Sequence, residues 1–230
     1  MQKLGAGVRF SKQKYLLRKT NMNESDVLDI LQKVGAFRSG HFVGVSGLHL
    51  DTYVNKNAMY PYTREMSKLC REIAQRFVGK NIEVVVGPAT GGIILSQWVA
   101  YHLSELEGRE VYSVYSDKDG DGFVIKRGYN ELIKGKNILV VEDLVTTGGS
   151  LRKVIEVARA EGATVAAAVA VCNRGAVTRE MAGNPPEFMS MLTVELDQWS
   201  EADCDLCKRN IPINTDVGHG KDYLARIAAA

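Results

Sequence analysis

A chain of 230 residues with 45% apolar and 24% charged residues has the make-up of an ordinary globular protein, long enough for one large α/β domain or two small ones. A net charge of +2 gives no field that would argue for nucleic acid or a membrane surface; no apolar run approaches the ~20 residues of a membrane-spanning helix, and no signal-peptide core is present. Four cysteines, Cys70, Cys172, Cys204 and Cys207, do not form a disulfide framework at this length, so the expected compartment is the cytoplasm.

The first twenty residues carry six basic side chains (Lys3, Arg9, Lys12, Lys14, Arg18, Lys19) and no acidic one, and are taken as a solvated N-terminal extension, 1–20. Asn23-Glu24-Ser25 ahead of Val27, Leu28, Ile30, Leu31 and Val34 predicts a capped amphipathic helix ending near Gly35. Residues 36–53, with Gly40, Gly44 and Gly47 interrupting apolar pairs, predict a short β-hairpin. Met66, Leu69, Cys70, Ile73 and Phe77 fall on one face of a helix over 63–77.

The apolar run 82–86 predicts a buried strand that ends at Gly87-Pro88-Ala89-Thr90-Gly91-Gly92, with a helix over about 93–103 after it. A strand, a glycine-rich turn and a helix start form an anion site, because the first-turn N–H groups lack partners and sit at the positive end of the helix dipole. Residues 110–115 predict a third strand, 116–122 a mobile polar loop and 123–129 a flap strand. Strands over 164–171 and 188–196 complete the series, followed by a charged segment with Cys204-x-x-Cys207 and a tail of undefined structure.

A second strand–loop–helix unit carries more chemistry. Residues 138–141 read as a buried strand; Glu142 and Asp143 sit at its end, and Leu144-Val145-Thr146-Thr147-Gly148-Gly149-Ser150 leads into a helix marked by Leu151, Val154, Ile155 and Ala158. The glycines let backbone wrap round an oxyanion and the hydroxyls add donors. Two carboxylates would repel a phosphate lying on them, so they must face another part of the same ligand, such as sugar hydroxyls or a metal. Phosphate at one end and a diol nearby describe a ribose 5-phosphate.

Glu-Asp-Leu-Val-Thr-Thr-Gly-Gly-Ser resembles the binding motif of type I phosphoribosyltransferases, which take 5-phosphoribosyl 1-diphosphate (PRPP), and the chain is most similar to the orotate phosphoribosyltransferases among them. Ser46-Gly47 through Tyr53 to Lys56 resembles the hood segment of that group. The resemblance covers roughly residues 35–200. It implies a Rossmann-like parallel sheet flanked by helices with a small hood: hood from about 21–60 and possibly 197–230, core about 61–196. It implies that Glu142 and Asp143 meet the ribose, that 144–150 hold the 5′-phosphate, and that Thr90, Gly91, Lys56 and Lys126 complete PRPP binding. Thr146 and Arg174 would meet the base, and Lys118 and Asp143 would serve catalysis. It further implies Mg²⁺ as cofactor, PRPP and orotate as substrates, and a homodimer in which the loop lysine reaches the partner's site.

The match departs from the group in two places. Its catalytic loop has the form Arg-Lys-x-x-Lys-Asp-His-Gly-Glu-Gly; here Lys118-Asp119-Gly120-Asp121-Gly122 keeps the end, the His is missing, and Val114 and Tyr115 stand where Arg-Lys would be. Asn173 precedes Arg174 where the group has Asp. A transferase for another base, or a PRPP-sensing regulator without catalysis, are the rival readings.

Other motifs fail on spacing. Gly79-Lys80 and Gly135-Lys136 lack the loop and Ser/Thr of a nucleotide triphosphatase, and no Gly-x-Gly-x-x-Gly is present. Asp117, Asp119 and Asp121 alternate like a Ca²⁺ loop, but position 128 is Gly where Glu is needed. Cys204-Asp205-Leu206-Cys207 is half a zinc site by spacing. His219 and Cys172 are the candidates to complete it, but they match no ribbon or knuckle, so the cysteines are read as free structural thiols and no metal ligand is assigned.

Overall fold

A computed structural model of the chain describes residues 22–229; the basic extension 1–20 lies outside the described residues. The elements are α1 (Glu24–Lys33), β1 (Phe37–Val43), β2 (His49–Val54), α2 (Thr63–Phe77), β3 (Val84–Pro88), α3 (Gly91–Glu107), β4 (Tyr112–Asp119), β5 (Gly122–Val124), α4 (Tyr129–Ile133), β6 (Asn137–Val145), α5 (Gly149–Ala160), β7 (Thr164–Asn173), β8 (Phe188–Thr193), α6 (Asp205–Lys208) and α7 (Gly220–Ala228). A single 3₁₀ turn, Lys56–Ala58, joins β2 to α2. Asn23 caps α1 as expected, in a reciprocal box with Asp26.

Six strands form one sheet in the order β5-β4-β3-β6-β7-β8, parallel except for β5. Alternation along the central strands sorts their side chains to two faces. Val85, Leu139 and Val141 pack with α1, α2 and α3; Val84, Val86, Ile138 and Val140 pack with α4 and α5. On α2, Leu69, Ile73 and Phe77 have no exposed surface, and each such side chain contributes about 1.5–3 kcal/mol. The α/β class and the helices on both faces are therefore as expected. β1 and β2 pair antiparallel as a separate two-stranded sheet.

Three parts differ from the sequence expectation. Residues 116–119 belong to β4, not to a loop: Asp117, Lys118 and Asp119 pair with Val124, Phe123 and Gly122 of β5. Ladder hydrogen bonds to β5 override a polar, glycine-rich composition, and the flap strand shrinks to three residues. Residues 129–133 form α4 rather than continuing that strand. The tail is also structured, with His41 bridging to Ile213, His49 bridging to Trp199, and α7 packed beside β1.

Candidate active site

β6 runs to Val145, four residues beyond the apolar stretch that announces it. Its period of two therefore continues through the acidic pair and sends the two carboxylates to opposite faces of the sheet. Asp143 points toward the α3 side. It is fully buried; Lys56 Nζ donates to its Oδ1 at 3.0 Å and the Tyr60 hydroxyl donates to its Oδ2. Glu142 points toward the α5 side, also buried. Burial, and then the negative charge of Asp143, push its carboxyl well above the usual carboxylate range. Burial, and then the charge of Asp143, likewise push the Tyr60 phenol far up, so it stays a donor.

A cavity of about 410 Å³ opens over these strand ends, lined by Lys56, Asn57, Pro88, Ala89, Thr90, Gly91, Lys118, Phe123, Glu142 and Ser150. A smaller recess, lined by Glu142, residues 144–149, Ser150 and Leu151, shares Glu142 and Ser150 with it. The two adjoin at the carboxyl ends of the parallel strands, where open α/β sheets place their ligands. Two helices begin at the rim. The N-cap residues of α3 and α5 make no side-chain cap bond; Gly149 N–H at the start of α5 meets Thr147 Oγ1 at 3.4 Å, and both helices turn the positive end of their dipole to the site.

Glycines set these approaches. Gly148 has φ +76° and a Cβ there would lie 2.8 Å from the Met181 carbonyl oxygen, so the turn into α5 requires glycine. A Cβ on Gly91 would lie 1.8 Å from Asp143 Oδ2 and 2.0 Å from the Tyr60 hydroxyl. Gly91→Ala is therefore expected to displace the buried carboxylate and destabilise the fold by about 1–3 kcal/mol, the range for overpacking, read as a lower urea midpoint. An unchanged midpoint would contradict this packing. The Ala89–Thr90 peptide bond is cis.

Of the residues expected from sequence, Lys56, Thr90, Gly91, Lys118, Glu142 and 144–150 meet at this site, and Asp143 lies beneath it. Lys118 stands on β4, not on a loop, and lines the cavity of its own chain. Lys126 is exposed and does not line the cavity; its neighbour Arg127 pairs with Asp117 at 3.2 Å. Arg174 is also outside the lining. It follows β7, and its backbone N–H donates to the Val145 carbonyl, which sets it against the loop that begins at Thr146. Asn173 is buried and holds the next turn: its Oδ1 accepts from Gly175 and Val177 N–H, and its Nδ2 donates to the Val177 carbonyl. A carboxylate in its place could not make that last bond, a local reason for Asn.

Tyr60, Asn57 and Phe123 belong to the site and carry no sequence signal of it. Tyr60 is 83 residues from Asp143, inside an unpatterned Met59-Tyr60-Pro61-Tyr62.

Residues 59–200 match the phosphoribosyl transferase domain family. The chain is 37% identical over 193 residues to the orotate phosphoribosyltransferase of Pelotomaculum thermopropionicum, covering 83% of this chain and 95% of that one. It is 34% identical over 195 residues to the orotate phosphoribosyltransferase of Thermotoga maritima, covering 84% and 98%. The crystal structure of orotate phosphoribosyltransferase from Aeropyrum pernix superposes with a TM-score of 0.60 at 26% identity, over 73% of this chain and 93% of that one.

Proposed function

The chain belongs to the phosphoribosyl transferase family, and on that premise we propose that it transfers the 5-phosphoribosyl group of PRPP to orotate, giving orotidine 5′-monophosphate and pyrophosphate. The observation that carries this is the cavity and the recess that adjoins it, with Glu142 in the lining of both, Asp143 beneath, two helix starts at the rim and two lysines on the cavity wall.

The recess of 144–150 takes the 5′-phosphate on the first N–H groups of α5. Glu142 accepts from the ribose hydroxyls, and Asp143 holds Lys56 and Tyr60 in place beneath the ring. The pyrophosphate lies along Thr90, Gly91 and Lys118 at the start of α3. Positive charge builds on C1 and the ring oxygen as pyrophosphate leaves. The protein has little covalent chemistry to perform, so its contribution is positioning and stabilisation of the leaving group.

Mg²⁺ is the cofactor in this proposal. A hard cation of this kind keeps several waters and is held mainly by substrate phosphates. Glu142 is the lining carboxylate that would face it; when bound, the ion neutralises charge on the leaving pyrophosphate. The β1–β2 hairpin with the C-terminal segment acts as the hood, about 21–60 and 197–230, over a core of 61–196. A cytoplasmic homodimer completes the proposal, and light scattering on the purified chain tests the assembly. Among the described residues, no helix is long and apolar enough to cross a membrane.

Orotate differs from uracil by a carboxylate, and Arg174 is the cation at the strand end next to Thr146. Charge-assisted hydrogen bonds are worth roughly 1.5–3 kcal/mol. Wild-type protein should therefore prefer orotate to uracil strongly. Arg174→Ala should raise KM for orotate roughly tenfold or more and narrow that preference, with PRPP binding little changed. Equal use of uracil by the wild type, or an unchanged KM in the variant, would remove the carboxylate from the account and leave PRPP binding standing.

A further inference from the structure

Away from the active site, the described residues bring four metal-ligating side chains to one point. His41 and His49 come from the two strands of the hairpin, Cys204 from the N-cap of α6 and Cys207 from α6 itself. One donor atom from each lies within 4.8 Å of every other. Cys207 Sγ is 3.3 Å from His49 Nδ1 and 3.7 Å from His41 Nε2; Cys204 Sγ is 3.6 Å from His41 Nε2. His41, His49 and Cys204 are buried and Cys207 is partly so. None of the four has a place in the proposed transfer reaction.

We propose that His41, His49, Cys204 and Cys207 form a structural zinc site that fastens the C-terminal segment to the N-terminal hairpin. Zn–S bonds of about 2.3 Å and Zn–N bonds of about 2.0–2.1 Å give a tetrahedron whose edges are about 3.3–3.8 Å. The three sulfur–nitrogen separations fall in that range. The two imidazole nitrogens, His41 Nε2 and His49 Nδ1, are 2.7 Å apart and open by roughly half an ångström to admit the ion. Two thiolates and two imidazoles in a closed, four-donor arrangement select zinc over the hard cations.

The surroundings suit a ligand set. His41 Nδ1 lies 2.7 Å from the Ile211 carbonyl oxygen. A carbonyl can only accept, so that nitrogen carries the proton and Nε2 presents its lone pair to the site, the outer-shell arrangement that orients metal-bound histidines. The Ile211 carbonyl comes from the same C-terminal segment as the cysteines. Backbone pairing brackets the site as well, with His49 and Trp199 exchanging N–H···O bonds and Asn214 N–H donating to the His41 carbonyl.

Neither His219 nor Cys172, the candidates from spacing, belongs to this group. His219 instead faces Asp222 at 3.3 Å, and Cys172 is buried in β7. Both cysteines are free thiols in the structure, and the proposal makes them two thiolates on one ion. β2 leads directly into the turn that carries Lys56, so the same ion steadies one wall of the active site.

Elemental analysis of protein purified without chelator tests this directly, with about one zinc per chain expected. Native-state thiol titration should find Cys204 and Cys207 protected until zinc is taken by a chelator, with a lower Tm afterwards. Protein reconstituted with Co²⁺ should show the visible bands of a tetrahedral ion and a thiolate-to-cobalt charge-transfer band, both lost in Cys204→Ser/Cys207→Ser. Zinc below about a tenth of an equivalent in zinc-supplemented preparations would overturn the proposal. So would a Cys204–Cys207 disulfide, or full zinc retention by the folded double variant. Wild-type metal content decides the matter even if the variant fails to fold, and it does not depend on which reaction the enzyme catalyses.

Discussion

Lys118→Ala is expected to lower kcat by roughly 10²–10³, the loss seen when one preorganised group that meets developing charge is removed, while orotate binding changes little. Lys118 shares the cavity wall with Thr90 and Gly91, where the proposal puts the leaving pyrophosphate. Charge on that group grows as the bond to C1 breaks, so a cation there contributes most in the transition state and least to the bound ground state. The strand pairing sharpens the expectation. A lysine on a mobile loop would have to be ordered on each turnover, whereas Lys118 is held opposite Phe123 by β5, and Lys153 ties the hairpin tip to α5 through the Asp121 carbonyl. Single-turnover kinetics with saturating PRPP separates chemistry from binding. Unchanged turnover in Lys118→Ala, with loss in Lys126→Ala, would move the role to Lys126.

Asp143→Asn is expected to keep the fold and weaken PRPP binding by roughly 10- to 100-fold, the equivalent of one charge-assisted hydrogen bond. Asparagine preserves shape and can still accept from the Tyr60 hydroxyl. Its Nδ2, however, would face the Lys56 ammonium, two donors at a position where the native pair lies 3.0 Å apart. Lys56 is 42% exposed and can swing into solvent, so the cost falls on ligand binding more than on stability. Asp143→Ala should be worse for stability, because the Tyr60 hydroxyl would be left half-enclosed without an acceptor. Calorimetry reads the affinity and circular dichroism the fold. Native-like PRPP affinity in Asp143→Asn would remove the buried carboxylate from the binding account.

The unit from Asn137 to Ala160 is legible in the sequence because its signals are contiguous. An apolar β-branched run, acids, hydroxyls and glycines, then a 3.6-residue apolar period each name their own local structure. The division of labour between Glu142 and Asp143 is not legible, since it depends on how far β6 extends beyond its apolar part. Tyr60 and Asn57 were beyond reach for another reason: they meet the site through tertiary packing, from a segment with no pattern of its own. The β4–β5 hairpin is misread because Ser116-Asp117-Lys118-Asp119-Gly120 has loop composition, and pairing with β5 outweighs it. Distance along the chain also hides the metal site. Cys204 and Cys207 announce half of it, but His41 is 163 residues from Cys204, and tertiary pairing, including the strand bridges at His41 and His49, brings the two parts together.

The most direct measurement is product formation by purified protein with PRPP and Mg²⁺, given orotate, uracil, adenine, hypoxanthine or xanthine in turn. Orotidine 5′-monophosphate and pyrophosphate released in equal amounts, with orotate preferred over the other four bases, is the predicted result. Tight PRPP binding with no pyrophosphate released from any base would contradict the account and leave a PRPP sensor in place of a transferase.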